Sequence, residues 1–186
     1  MSDPIDDGYA VVLRLRGRRV VVVGGGTIAL RKVRGLLDAG AAVTVVAPLI
    51  LDELRDLDSV ALKERPYRSS DCDNAWLVVV ATDDPAIQRT VTRDAGRRRI
   101  FVNSVDEPDL CSFILPAIAR HGPVIVAVST QGRSPSLAAR LRDRLASALP
   151  DGLELLAESL AATRRQIRDE GGSTEGVDWT DDLAGV

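Results

Sequence analysis

The sequence predicts an α/β protein: a parallel sheet with crossover helices, then a small region of two strands and a helix, then a further helix. Three observations carry this. The runs "VVVV" (20–23) and "AWLVVV" are continuous apolar stretches of strand length, as expected of strands buried on both faces. Segments with helical spacing alternate with such strands from residue 18 to about 104, which suits right-handed parallel crossovers. Beyond residue 112 the pattern changes, and "SFILPAIARHGPVIVAVST" reads as two strands joined at His121-Gly122-Pro123.

The elements follow in order. Val20–Val23 is the first strand. "TIALRKVRGLLDAGA" is a helix with Ile28, Val33, Leu36 and Leu37 at helical spacing, stopped at Gly40. "AVTVVAP" is a β-branched strand closed by Pro48. "DELRDLDSV" is a short helix and "VALKERP" a weak edge strand. "AWLVVVATDD" is a strong strand ending at Asp83. Asp84 is the N-cap of the next helix, with Pro85 in its first turn. "IFVNSVD" is the next strand. In "RSPSLAARLRDRLASALP" Ser134 caps a helix that begins at Pro135, carries Leu137, Leu141, Leu145 and Leu149 as one stripe, and ends at Pro150. "LELLAESLAATRRQIRDE" is a last amphipathic helix, and residues 171–186 form an acidic, Gly-rich tail expected to be mobile.

Composition narrows the function. The 186 residues are 45% hydrophobic and 27% charged, with a net charge of -3. That mix suits a globular chain of one domain with an appendage, and gives no footing for nucleic-acid binding. No apolar run reaches the roughly 20 residues needed to cross a membrane, and "MSDPIDDGYA" lacks the features of a signal peptide, so a cytoplasmic protein is expected. Cys72, Cys111 and the single His121 offer no metal-ligand cluster. Both thiols read as small, partly buried residues. Only Lys32 and Lys63 are lysines.

"VVVVGGGTIALRK" holds Gly24, Gly26 and Ala29 as G-x-G-x-x-A, between a strand and a helix, the context that makes this motif informative. Gly24 allows the tight turn, Gly26 lets the backbone approach a pyrophosphate, and Ala29 permits close helix–strand packing. The free N–H groups and dipole of the helix start then face the phosphates. Gly24, Gly25, Gly26, Thr27 and Ile28 are the expected dinucleotide-binding positions. A carboxylate at Gly24 is expected to clash with the pyrophosphate and repel it. The acidic residue that should follow the second strand to hold the ribose is absent; Ala47 and Pro48 stand there, so backbone groups must serve. NAD is the expected cofactor. Arg31 and Lys32 keep NADP open, though an exposed helix face is their plainer reading.

Four segments in order, "VVVVGGGTIALRKVRGLLDAGAAVTVVAP", "WLVVVATDDPAIQ", "IFVNSVDEPDLCSFILPA" and "VIVAVSTQGRSPSLAARLRDRL", closely resemble the precorrin-2 dehydrogenase family, over roughly residues 10 to 148. The resemblance implies a Rossmann-type domain (1–112), a dimerisation region (113–150), a C-terminal helix (151–170) and the tail (171–186). It implies a homodimer that oxidises precorrin-2, a tetrapyrrole, to sirohydrochlorin with NAD+ as acceptor. Some members also insert Fe2+, and some are fused to a uroporphyrinogen methyltransferase; that enzyme is expected to be a separate protein here. By resemblance Thr82 and Asp83 line the cofactor site, Asn103 and Asp106 match the N-x-V-D segment, and Ser129, Gly132, Ser134 and Pro135 match S-x-G-x-S-P, with Thr130 where serine is common.

The carboxyl-rich stretch "VDEPD" then has a reading. In an open parallel sheet, ligands bind beyond the carboxyl ends of the strands, where Asp83, Asn103 and Asp106 all stand. Oxidation must send a hydride to the cofactor and a proton to a base. Asp106 is the candidate base, expected to be partly buried and crowded by Glu107 and Asp109. The bland alternative for Glu107 and Asp109 is a solvated turn. The acetate and propionate arms of precorrin-2 call for donors, and Thr130, Gly132, Arg133 and Ser134 at a helix start supply them; Arg120 and Arg140 are weaker candidates. Two other readings are a bifunctional chelatase and a dinucleotide-sensing module without chemistry.

Overall fold

The computed structural model describes residues 8–175 together with 177 and 179. The chain divides into two compact units, Met1–Leu115 and Pro116–Val186. The division falls after Leu115 rather than after residue 112. Ser112 and Phe113 fold back along the last strand of the first unit, through Ser112 N–H to the Val102 carbonyl (2.8 Å) and Asn103 Nδ2 to the Phe113 carbonyl (3.1 Å).

In the first unit, five parallel strands lie in the order β3-β2-β1-β4-β5: β1 Arg19–Val23, β2 Ala42–Ala47, β3 Val60–Glu64, β4 Leu77–Val80 and β5 Phe101–Ser104. The apolar runs are explained by burial on both faces. Val20, Val22, Val45 and Val79 pack on one side with Ala29 and Val33 of helix α1 (Thr27–Asp38). Val21, Val23, Val78 and Val80 pack on the other with Val91 and Ala95 of α3 (Pro85–Arg97). α2 is a single turn, Asp52–Arg55. Ile28 leaves the expected apolar stripe: it stays 38% exposed at the start of α1, and Ala29 and Val33 take the buried face. Asp84 caps α3 as predicted, its carboxylate accepting from the N–H groups of Ala86 (2.8 Å) and Ile87 (3.3 Å).

Two short 3-10 turns lay outside the sequence reading, Ser69–Cys72 and Pro108–Leu110. The first carries a buried charge. Asp71 is 1% exposed. It accepts from Arg65 through both guanidinium nitrogens (2.8 and 2.6 Å), from Lys63 (2.9 Å) and from the Arg68 N–H (2.9 Å). The cluster ties edge strand β3 to the loop that follows it.

The second unit pairs β6 (Ala117–His121) with β7 (Val124–Val128) as an antiparallel hairpin. Its two-residue turn is Gly122-Pro123, with Gly122 at φ +54, as a tight hairpin requires. Helix α4 (Pro135–Ala146) is capped by Ser134, and α5 runs Leu153–Asp169. α4 ends before Pro150, so Leu149 lies outside it. Ala138 is the one buried apolar side chain of this unit among the described residues; Leu137, Leu141 and Leu145 remain 49%, 39% and 50% exposed. Of the expected tail, Thr174 and Trp179 line a cavity with Leu160 and Arg164 of α5; residues 176, 178 and 180–186 lie outside the described residues. No helix among the described residues is long and apolar enough to cross a membrane.

Candidate active site

The strand registers set the site. Val23 pairs with Val46 and with Val80, and Val80 pairs with Ser104. The next residues, Gly24, Ala47, Ala81 and Val105, therefore form a row along the carboxyl edge of the sheet. Main-chain bonds stitch the row: Gly24 N–H to the Val46 carbonyl (3.0 Å), Ala81 N–H to that of Val23 (2.7 Å), and Val105 N–H to that of Val80 (2.9 Å). Strand order reverses between β1 and β4, the place where such sheets take ligands.

Each glycine of the loop has a different reason. Gly24 has φ +130, and a Cβ there would run into the Ala81 carbonyl. A Cβ on Gly25 would meet the Leu49 carbonyl, and the Gly25 carbonyl itself accepts from Leu51 N–H (2.9 Å). Gly26 has no atom within 4 Å of where its Cβ would stand, so the space a side chain would fill is open. Gly26 is also the N-cap of α1, with no capping side chain and no acidic residue in the first turn. The N–H groups and dipole of this helix start are thus uncompensated and suit a phosphate. Thr27 and Ile28 are exposed beside it. A dinucleotide's pyrophosphate fits this cradle, and Gly24, Gly25, Gly26, Thr27 and Ile28 would hold it.

Packing corrects the expectation for Gly24: an aspartate there would collide with the backbone of Ala81 before it could repel a ligand. Gly26→Asp is the informative change. Aspartate is a favoured N-cap, so the variant should fold at least as stably as the parent. It also places a carboxylate in the open space, and NAD+ affinity should fall more than roughly tenfold through like-charge repulsion. Calorimetric titration alongside a thermal melt checks both halves.

Around this cradle, Ala47 is buried and Pro48 exposed at the end of β2. After β4, the Thr82 hydroxyl accepts from Asp84 N–H (3.3 Å), the Thr82 carbonyl accepts from Gln88 Nε2 (2.9 Å), and Asp83 is exposed. Asn103 is buried, its Nδ2 donating to the Phe113 carbonyl. Asp106 sits in the turn after β5 with φ +62, a conformation that costs a non-glycine residue about 1–3 kcal/mol. Glu107 N–H closes that turn onto the Ser104 carbonyl (3.4 Å). The expected partial burial of Asp106 is not observed: it is exposed, as are Glu107 and Asp109. The turn projects past the sheet edge, which leaves all three carboxyls in water.

Lys32 corrects another expectation. It does not lie on an open helix face but is half-buried. Burial holds its ammonium below the ordinary lysine value and the Arg31 cation adds to this, while Asp106 and Cys111 pull the other way. The side chain thus lies in the field of the Asp106 turn. Among the described residues no group of three or more His, Cys, Asp or Glu could hold a metal ion.

In the second unit, Ser129, Thr130, Gln131, Arg133, Ser134 and Leu137 line a shallow pocket of about 390 Å³. Gln131 (φ +53) and Gly132 (φ +78) turn the chain beneath it. The Thr130 hydroxyl is spent within the loop, donating to the Ser134 carbonyl and accepting from Ser134 N–H, both at 3.0 Å. The Ser134 hydroxyl accepts from Leu137 N–H (3.3 Å) as the cap of α4. Arg133 is exposed at the rim, within 3.4 Å of Gln131 Oε1.

Comparison with known proteins follows this division. Residues 11–117 match a family described as putative NAD(P)-binding, and residues 122–148 match the sirohaem biosynthesis protein central region. The siroheme synthase of Methylococcus capsulatus is 43% identical over 165 residues, 87% of this chain and 35% of its own. That of Pseudomonas fluorescens is 46% identical over 157 residues, 83% of this chain and 34% of its own. A solved structure of SirC, a precorrin-2 dehydrogenase, is 31% identical and superposes with a TM-score of 0.71, covering 95% of this chain and 86% of that one. The chain belongs to the precorrin-2 dehydrogenase family. It spans about a third of the length of the curated siroheme synthases it matches. For this member of the precorrin-2 dehydrogenase family, sequence reasoning gave Lys32 a place on a helix face and Cys111 only that of a small, partly buried thiol, and did not single out Asp71. That Lys32 is one of only two lysines was visible in the sequence, but its half-burial was not; Cys111 and Asp71 carried no local signal.

Proposed function

We propose that the chain oxidises precorrin-2 to sirohydrochlorin with NAD+ as hydride acceptor. The observation that carries this reading is the common edge. The open Gly26 cradle and the Asp106 turn follow strands that end level in one sheet, so a dinucleotide on the first brings its reactive end toward the second. Bound NAD+ supplies the acceptor for the hydride. The chain's own residues do the rest. Gly24, Gly25, Gly26, Thr27 and Ile28 hold the pyrophosphate, Ala47 and Pro48 offer backbone groups to the adenosine, and Thr82, Asp83 and Asn103 flank the path. Asp106 takes the proton that leaves precorrin-2 as the hydride departs, so one NADH and one proton appear for each sirohydrochlorin. The exposure of Asp106 favours this role, because a substrate can reach it.

Thr130, Gly132, Arg133 and Ser134 are proposed for the substrate carboxylates. Arg133 supplies the charge and the start of α4 the main-chain donors. The Thr130 hydroxyl shapes the loop rather than reaching out. A uroporphyrinogen methyltransferase would furnish the substrate, and a cytoplasmic setting suits two free thiols.

The test is an anaerobic mixture of the protein, precorrin-2 and NAD+, followed spectrally. A dehydrogenase converts the spectrum to that of sirohydrochlorin as NADH forms; a dinucleotide sensor binds NAD+ and leaves precorrin-2 unchanged. Fe2+ added afterwards reports whether the same chain inserts metal.

The second unit is proposed to form a homodimer through residues of roughly 113 to 148. Among the described residues it buries one apolar side chain, too small a core for a stable lobe, and Ile118, Ile125, Leu137, Leu141 and Leu145 are each at least 36% exposed. Sedimentation at micromolar concentration should show a dimer, and Leu141→Glu should shift it to monomer. A parent protein that sediments only as monomer contradicts the assembly.

A further inference from the structure

We propose that Cys111 is a positioning residue for the reaction: its sulfur clamps the strand end and the loop between which Asp106 is held. The inference rests on the reading of Asp106 as base. Four polar atoms surround the Cys111 sulfur. It accepts from the Ser104 N–H at 3.2 Å, and Asn103 Nδ2 lies 3.5 Å away. Its S–H faces two carbonyls, of Ser104 at 3.1 Å and of Glu107 at 3.3 Å. One atom therefore touches the chain on both sides of Asp106.

The turn needs such a clamp. Asp106 holds φ +62, a left-handed conformation that aspartate visits more readily than most residues but still at a cost, so contacts on both sides of it help to hold the turn. The main-chain bond closing the turn is long, at 3.4 Å, and so contributes little. The Ser104 hydroxyl, buried beneath the turn, has no partner and adds nothing. A thiol suits the task because sulfur bonds at longer range than oxygen, so one Sγ can serve partners spread over two segments. Burial pushes the Cys111 thiol up, against the Ser104 N–H and the Lys32 cation, so it stays protonated and its part is geometric rather than nucleophilic. The alternative is a small half-buried residue with no bearing on the chemistry.

The two differ in a mutant cycle. Cys111→Ala and Cys111→Ser are made alone and in the Asp106→Asn background, with precorrin-2 turnover, NAD+ affinity and melting temperature measured on each. If the sulfur positions Asp106, Cys111→Ala lowers kcat at least roughly tenfold, as small displacements of a reacting group do. KM and NAD+ affinity then stay within about twofold, and Cys111→Ser recovers part of the loss. In the Asp106→Asn background the alanine change costs nothing further, because the group it positions is gone. Should Cys111→Ala not fold, Cys111→Ser carries the test, with a smaller kcat loss that again disappears beside Asp106→Asn. An equal cost in both backgrounds, or full activity in Cys111→Ala, overturns the proposal. Undiminished turnover in Asp106→Asn alone would instead remove the base assignment, and that result is read without any change at Cys111.

Discussion

Asp106→Asn should lower precorrin-2 oxidation at least roughly a hundredfold while leaving NAD+ binding and melting temperature unchanged. A positioned base supplies about a hundredfold to ten-thousandfold in rate. The backbone makes this substitution unusually clean. Asp106 sits at φ +62, and asparagine tolerates that region as well as aspartate does. The turn should therefore survive, and any loss reports the missing proton acceptor. Alanine would confound the test, since it both removes the carboxylate and resists the conformation. Glu107→Gln and Asp109→Asn should have milder effects, since neither carboxylate is the aspartate of the N-x-V-D segment. Turnover of Asp106→Asn within a few-fold of the parent would contradict the assignment.

The largest stability effect should come from a residue outside the site. Asp71→Asn leaves Arg65 and Lys63 facing a neutral group in a nearly closed space, and should destabilise the fold by about 3 kcal/mol. That is the lower end for breaking a buried pair, because Lys63 and Arg65 keep 39% and 28% of their side chains in water. The dependence on pH has a definite sign. The Arg65 guanidinium, helped by Lys63 and the Arg68 N–H, holds the Asp71 carboxyl well below the usual carboxylate range, against burial, which pushes it up. A depressed carboxyl stabilises the folded chain above its unfolded value of about 3.9, and that contribution is lost as pH falls toward the folded value. Urea melts of parent and variant should differ fully at neutral pH and converge in acid. A difference of the same size at both pH values would place the effect elsewhere.

Both residues bear on how much the sequence disclosed. The sheet, its crossovers and the caps at Asp84 and Ser134 were readable because their signals are local: apolar runs of strand length, and a polar cap followed by proline. The Gly24–Gly26 loop was readable for the same reason, with Gly24 read as the tight turn and Gly26 as the place of close approach, yet the neighbours that require glycine at the first two positions were not. Only the folded chain brings the carbonyls of Ala81 and Leu49 against the first two and leaves the third open. Asp71 stands as one more acid in "RSSDCD", since its partners stand six and eight residues earlier, just after and within an edge strand with no periodic signature. Lys32 read as helix surface because nothing local says that the loop after β5 lies across from it. Asp106 was found by its place after a strand, but its exposure and its left-handed backbone come from the way "DEPDLCSF" folds back along β5.

The central claim, NAD-dependent oxidation of precorrin-2, is tested most directly by stoichiometry under anaerobic conditions. Parent protein given a limiting amount of precorrin-2 and excess NAD+ should form one NADH for each precorrin-2 consumed, with sirohydrochlorin as the product. Loss of precorrin-2 without NADH, or NAD+ binding with no change in precorrin-2, would contradict it.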